Sequence, residues 1–120
     1  MTRILTIEDD AVTAREIVAE LSSHGLDVDW VANGREGLAR LLQGGGAGDV
    51  VVCSSDTVAQ GVMAEALSRG LRIPEDLAVM GFGDLSSAAH TYPPLSTVRV
   101  DGPRIGCAIA DALLARFAEP

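Results

Sequence analysis

The alternation of short apolar runs with amphipathic stretches constrains this chain more than any other feature. Residues 4–7 form an apolar run bounded by charge, which suits a strand covered on both faces. Asp10 can cap the next segment, where Ala14, Ile17, Val18 and Leu21 recur at helical spacing before His24 and Gly25. Residues 28–31 predict a second strand. Asn33 followed by Glu36 reads as a cap, ahead of a helix with Leu38, Leu41 and Leu42 on one face. Residues 49–53 predict a third strand. Ala59, Val62, Met63, Ala66 and Leu67 predict a third helix, closed by Gly70. Residues 77–82 predict a fourth strand, residues 86–91 a short helical turn, and residues 95–100 a fifth strand after Pro93 and Pro94. Gly102 and Pro103 open a last helix, whose apolar face is Ile105, Ile109, Ala112 and Leu113. Connections this short require right-handed crossovers. The predicted fold class is α/β: a three-layer, doubly wound sandwich on a five-stranded parallel sheet of order 2-1-3-4-5. Its ligand crevice would lie between strands 1 and 3, at their carboxyl ends.

Composition narrows what such a sandwich does. The 120 residues suffice to bury a core without disulfides or a metal. Aromatics are 3%, so Val, Leu, Ile and Ala must fill that core. Net charge is −8, with no basic cluster, which argues against nucleic acid and against an anionic membrane surface. No leader peptide and no membrane span are expected. Cys53 and Cys107 read as reduced, packed thiols, since neither has a Cys or His at ligand spacing. His24 and His90 read as loop or helix-end residues, and Trp30 as a partly buried edge-strand residue.

Glu8, Asp9 and Asp10 follow strand 1, where three acids can hold a hard divalent cation such as Mg²⁺. With Gly25-Leu26-Asp27-Val28 and Ala32-Asn33-Gly34-Arg35-Glu36-Gly37-Leu38, this stretch resembles the first half of a response-regulator receiver domain. That resemblance covers residues 1–43 and implies a flavodoxin-like fold with Glu8 and Asp9 as a metal pair. The phospho-accepting Asp it implies after strand 3 is replaced by Ser54, and Gly83 and Arg99-Val100-Asp101 stand where the family has its Ser/Thr and Lys. A serine cannot stand in for the attacking carboxylate, so phosphotransfer is not expected.

Residues 50–120 carry a second set of motifs. These are Cys53-Ser54-Ser55-Asp56-Thr57, Ile73-Pro74-Glu75-Asp76-Leu77-Ala78-Val79-Met80-Gly81-Phe82-Gly83-Asp84 and Pro93-Pro94-Leu95-Ser96-Thr97-Val98. In this order they resemble the carboxyl-terminal part of a lactose-repressor-type regulator, with a periplasmic-binding-protein-like fold. The resemblance implies that Ser55, Asp56 and Asp84 stand at or beside positions that reach a small effector held between two lobes. The plainer reading is that Asp56 caps helix 3 and Asp84 sits in a loop. It also implies that the chain crosses between lobes near Pro93, so that the last helix can belong to the other lobe.

The two resemblances meet at the Gly-rich residues 44–49. Taken together they lead to the expectation of one α/β domain over residues 1–120, an engineered chimera made to fold and with no enzymatic or other biochemical activity. The alternatives are a vestigial receiver-like domain with a weak cation site at Glu8, Asp9 and Asp10, or a half-site for a small sugar-like effector. No cofactor beyond weak Mg²⁺ and no partner are expected. The chain is expected to be a cytoplasmic monomer whose last helix folds back on the sheet, with a helix-swapped dimer as the alternative.

Overall fold

The computed structural model describes residues 3–44 and 49–118; of the expected Gly-rich junction at residues 44–49, residues 45–48 lie outside the described residues. Strand β1 (Arg3–Ile7) leads into α1 (Ala11–Ser23), then β2 (Asp27–Val31), α2 (Gly34–Gly44), β3 (Asp49–Cys53), α3 (Asp56–Ser68) and β4 (Leu77–Met80). A 3-10 helix at Ser86–His90 and the long α4 (Gly102–Ala118) complete the chain. The sheet is parallel throughout, in the order β2-β1-β3-β4. β1 pairs with both β2 and β3, so one continuous sheet joins the two halves of the sequence.

Local signals explain the element ends. The Asp10 carboxylate accepts from the Thr13 backbone N–H at 3.1 Å and from the Thr13 hydroxyl, closing the first turn of α1. These two bonds, the hydroxyl's first, hold the Asp10 carboxyl below the usual carboxylate range. Asn33 Oδ1 accepts from Glu36 N at 2.9 Å, and the Glu36 carboxylate reaches back to Ala32 N. Gly25 and Gly70, at φ +80° and +77°, make the left-handed exits from α1 and α3. Arg72 and Asp76 pair side chain to side chain at 3.1 Å, and the Arg72 N–H also donates to Asp76, closing the turn into β4.

The core lies between the sheet and the helices α2 and α3. Leu5, Ile7, Val31, Val51, Cys53, Leu77 and Val79 point to one face and meet Ala59, Val62, Met63 and Ala66 of α3. Alternation along the strands sends Ile4, Thr6, Val50, Val52, Ala78 and Met80 to the other face. There α1 supplies the cover, lying over β1 and β2. Burial pushes the Cys53 thiol up to about 12, whereas Cys107 lies exposed on α4, so only one of the two thiols is packed. A thiol raised from 9.0 in the unfolded chain contributes stability that is full below pH 9 and is lost as pH rises through about 12. A thiol reagent at neutral pH should therefore modify one cysteine per folded chain and both in denaturant, by mass spectrometry.

Two expectations are corrected here. The sheet has four ladder strands, not five. β4 ends at Met80 rather than continuing to residue 82, although residues 81–83 keep the same register against residues 96–99. Residues 95–100 then touch its extension only at isolated bridges, Met80 with Ser96 and Gly83 with Arg99. The last helix does not fold back either. Every residue of α4 is exposed, and the molecule is 63 Å along its longest axis. Asp101 Oδ1 accepts from Arg104 N at 3.0 Å and Gly102 N–H donates to Val100 O at 3.0 Å, which fixes the helix's direction at its first turn.

Candidate functional site

Three loops leave the carboxyl edge of the sheet, after β1, β3 and β4, and they carry all the candidate site residues. Ser55 caps α3, accepting from Val58 N at 3.2 Å, so the capping role belongs to Ser55 rather than to its neighbour. Asp56, in the first turn of α3, is 0% exposed. Its Oδ2 accepts from Leu85 N at 2.7 Å and its Oδ1 from the Thr97 hydroxyl at 2.5 Å, while its own N–H donates to Phe82 O. Thr97 Oγ1 in turn accepts from Asp84 N at 3.2 Å. One buried carboxylate thus ties the β3 loop to the β4 loop and to residues 95–99. A side chain at residue 81 would overlap this carboxylate, which accounts for Gly81.

The same network explains the backbone at Asp84. This residue is held in the left-handed region, uncommon without glycine, by its N–H bond to Thr97 and by the anchoring of Leu85. Asp84 and Phe82 are exposed beside the buried knot, Phe82 at 48%. The result is a rigid frame carrying a carboxylate and an aromatic ring to solvent.

Glu8, Ser54, Gly81 and Phe82 rim a cleft of about 190 Å³ with an apolar floor of Ile17, Val52, Met80 and Val98. Thr6 lines it too, its hydroxyl buried without a hydrogen-bond partner. Ser54 N–H donates to Ile7 O at 2.9 Å, placing the residue between β1 and β3. Two of the three acids after β1 are used locally, Glu8 Oε1 accepting from Asp10 N at 3.1 Å and Asp10 capping α1, while Asp9 is exposed. Among the described residues, no three His, Cys, Asp or Glu side chains converge as a metal set. The structure brings Ser54, expected only as a lost phosphoacceptor position, onto loops neighbouring Ser55, Asp56 and Asp84, and adds Thr97, Phe82 and Gly81, which sequence did not single out. The run Pro93-Pro94-Leu95-Ser96-Thr97 was the available signal for Thr97.

In open parallel α/β sheets the carboxyl edge of the strands, where this lobe gathers its polar loops, is the place at which ligands bind. The model of the periplasmic binding protein-like domain matches residues 7–120, and the chain belongs to that family. It is 36% identical over 112 residues to the HTH-type transcriptional regulator MalR of Streptomyces coelicolor, covering 92% of this chain and 31% of that regulator. Among solved structures, a LacI family transcriptional regulator from Mycobacterium smegmatis superposes with a TM-score of 0.76 at 30% identity, over 98% of this chain and 50% of that one. The transcriptional regulator CelR in its cellobiose complex superposes at 0.74 with 25% identity, over 95% of this chain and 39% of that one. The chain spans about a quarter to a third of the length of the curated relatives it matches.

These matches overturn the expectation of an engineered chimera without activity. Family model and relatives run through the Gly-rich segment at which fragments of two families with related folds were expected to join. The receiver-like motif of residues 1–43 therefore does not mark a separate origin. Among the described residues, no helix is long and apolar enough to cross a membrane.

Proposed function

We propose that this chain is an effector-binding lobe of a LacI-type transcriptional regulator, and that it takes a small polyhydroxylated ligand at the loops after β3 and β4. The observation that carries this reading is the Asp56 knot, which holds the exposed Phe82 ring and the Asp84 carboxylate on one rigid edge. An aromatic face against a sugar's C–H surface, with a carboxylate and serine hydroxyls for its OH groups, is the usual division of labour in such sites. The similarity to a regulator in complex with cellobiose supports a sugar as the ligand class. In this reading Ser54, Ser55 and Asp84 meet the ligand and Asp56 positions the loops. With a net charge of −8, DNA contact in this reading is left to another part of the regulator.

One lobe covers one side of a ligand, so affinity is low: a cleft of about 190 Å³ is smaller than a pocket that encloses a small molecule. Titration calorimetry with cellobiose, maltose and ribose should give a dissociation constant of roughly 1 mM for at least one sugar. Phe82→Ala and Asp84→Asn should each weaken it about tenfold with the melting curve nearly unchanged. Absence of saturable heat for every sugar contradicts the proposal.

A further inference from the structure

The sheet face under α1 holds one polar atom with nothing to bond. Thr6 is 1% exposed, and among the described residues its hydroxyl is the one buried side-chain oxygen or nitrogen without a hydrogen-bond partner. The strand register sets Thr6, Val52 and Met80 side by side across β1, β3 and β4. With Ile17 and Val98 they floor the cleft of about 190 Å³. β1 and β3 are paired on both sides, so their backbone groups are taken by the ladder. The Thr13 hydroxyl, which also lines the cleft, is spent on Asp10. A water held on this floor would find one partner, where a buried water takes two to four. A sugar ring fits no better. It carries several hydroxyls, the floor offers one group to meet them, and the rest would be buried unpaired. The sugar proposed above therefore stays at the loops with Ser55 and Asp84, and the floor suits another kind of ligand.

We propose that this floor is a second ligand site, for a neutral single aromatic ring bearing one hydroxyl, and that Thr6 selects that ring by bonding its hydroxyl. An apolar cavity of about 150 Å³ accepts benzene, so the cleft of about 190 Å³ has room for a phenol. The Met80 thioether in the floor and the half-exposed Phe82 ring at the mouth both favour an aromatic body over an aliphatic one. The Thr6 hydroxyl can donate or accept, which matches a hydroxyl in either sense. Glu8 stands on the rim, so an anion such as benzoate would meet a like charge as it gave up its water. Phenol binding here needs no sugar.

Phenol is the probe. A methyl carbon–proton correlation spectrum of the full chain, titrated with phenol, should show saturable shifts at Thr6, Ile17, Val52 and Met80. The dissociation constant should be roughly 1 mM, as for a small ligand enclosed on one side. Thr6→Val keeps the side chain's shape. It should weaken phenol about tenfold and leave toluene bound as tightly or more so. Its melting temperature should be no lower than the parent's, since the hydroxyl it removes has no partner in the folded chain. Thr6→Ser keeps a hydroxyl and should keep the preference for phenol. Benzoate should give no saturable shift. Phenol shifts that do not saturate by about 10 mM, or that centre elsewhere, overturn the proposal. So does a Thr6→Val variant that binds phenol as tightly as the parent, or benzoate that binds as tightly as phenol. Phenol binding with no response to cellobiose would uphold this site and remove the sugar reading alone.

Discussion

Replacing Asp56 with alanine is expected to destabilise the fold by about 2 kcal/mol in urea denaturation, because it removes a buried carboxylate and strands two part-buried donors. Leu85 N–H and the Thr97 hydroxyl both end on this carboxylate, and no water reaches a residue that is 0% exposed. Asp56→Asn should cost only about 1 kcal/mol, since the amide oxygen still serves Leu85 and the amide nitrogen can donate to Thr97 Oγ1. The alanine variant should also free the β4 loop. Amide exchange should rise at residues 83–85, and Asp84 should leave its left-handed conformation once Thr97 is no longer fixed. An unchanged stability for Asp56→Ala would mean that the knot does not hold the edge together.

Ile7→Ala should cost about 3 kcal/mol, for a different reason. Ile7 is 2% exposed where β1 meets α2, and removing its side chain leaves a cavity as well as lost burial. The test is its coupling to Gly37. A methyl added at Gly37 would stand 2.6 Å from Ile7 Cδ1 and 3.5 Å from Val31 Cγ2. Gly37→Ala alone should therefore destabilise by overpacking. In the Ile7→Ala background the same methyl enters vacated space, so the double variant should be more stable than the sum of the singles by about 1 kcal/mol. Strict additivity would show that α2 does not rest on Ile7.

Residues whose role is local were legible in the sequence. Asp10, Asn33 with Glu36, Gly25 and Gly70 mark element ends by bonds or dihedrals spanning a few residues, and each acts where its neighbours predict. The strand order β2-β1-β3-β4 followed from short connections and one-handed crossovers. The fifth strand failed because an apolar run at residues 95–100 does not show whether it meets its partner in a full ladder or, as here, only at isolated bridges. Asp56 was legible as a cap or a ligand group, but not as a buried tie. Its partner Thr97 is 41 residues away, and no spacing rule reaches that far. The last helix has a clear apolar stripe, and a stripe shows that a face must be covered without saying by what.

A nitrogen–proton correlation spectrum recorded during titration with cellobiose tests the central claim most directly. Sugar bound at the loops after β3 and β4 should give saturable shifts concentrated at the amides of residues 54–56 and 81–85, with residues 11–23 of α1 and 102–118 of α4 unmoved. Shifts centred on α1 or α4, or a spectrum unchanged to about 10 mM sugar, would contradict it.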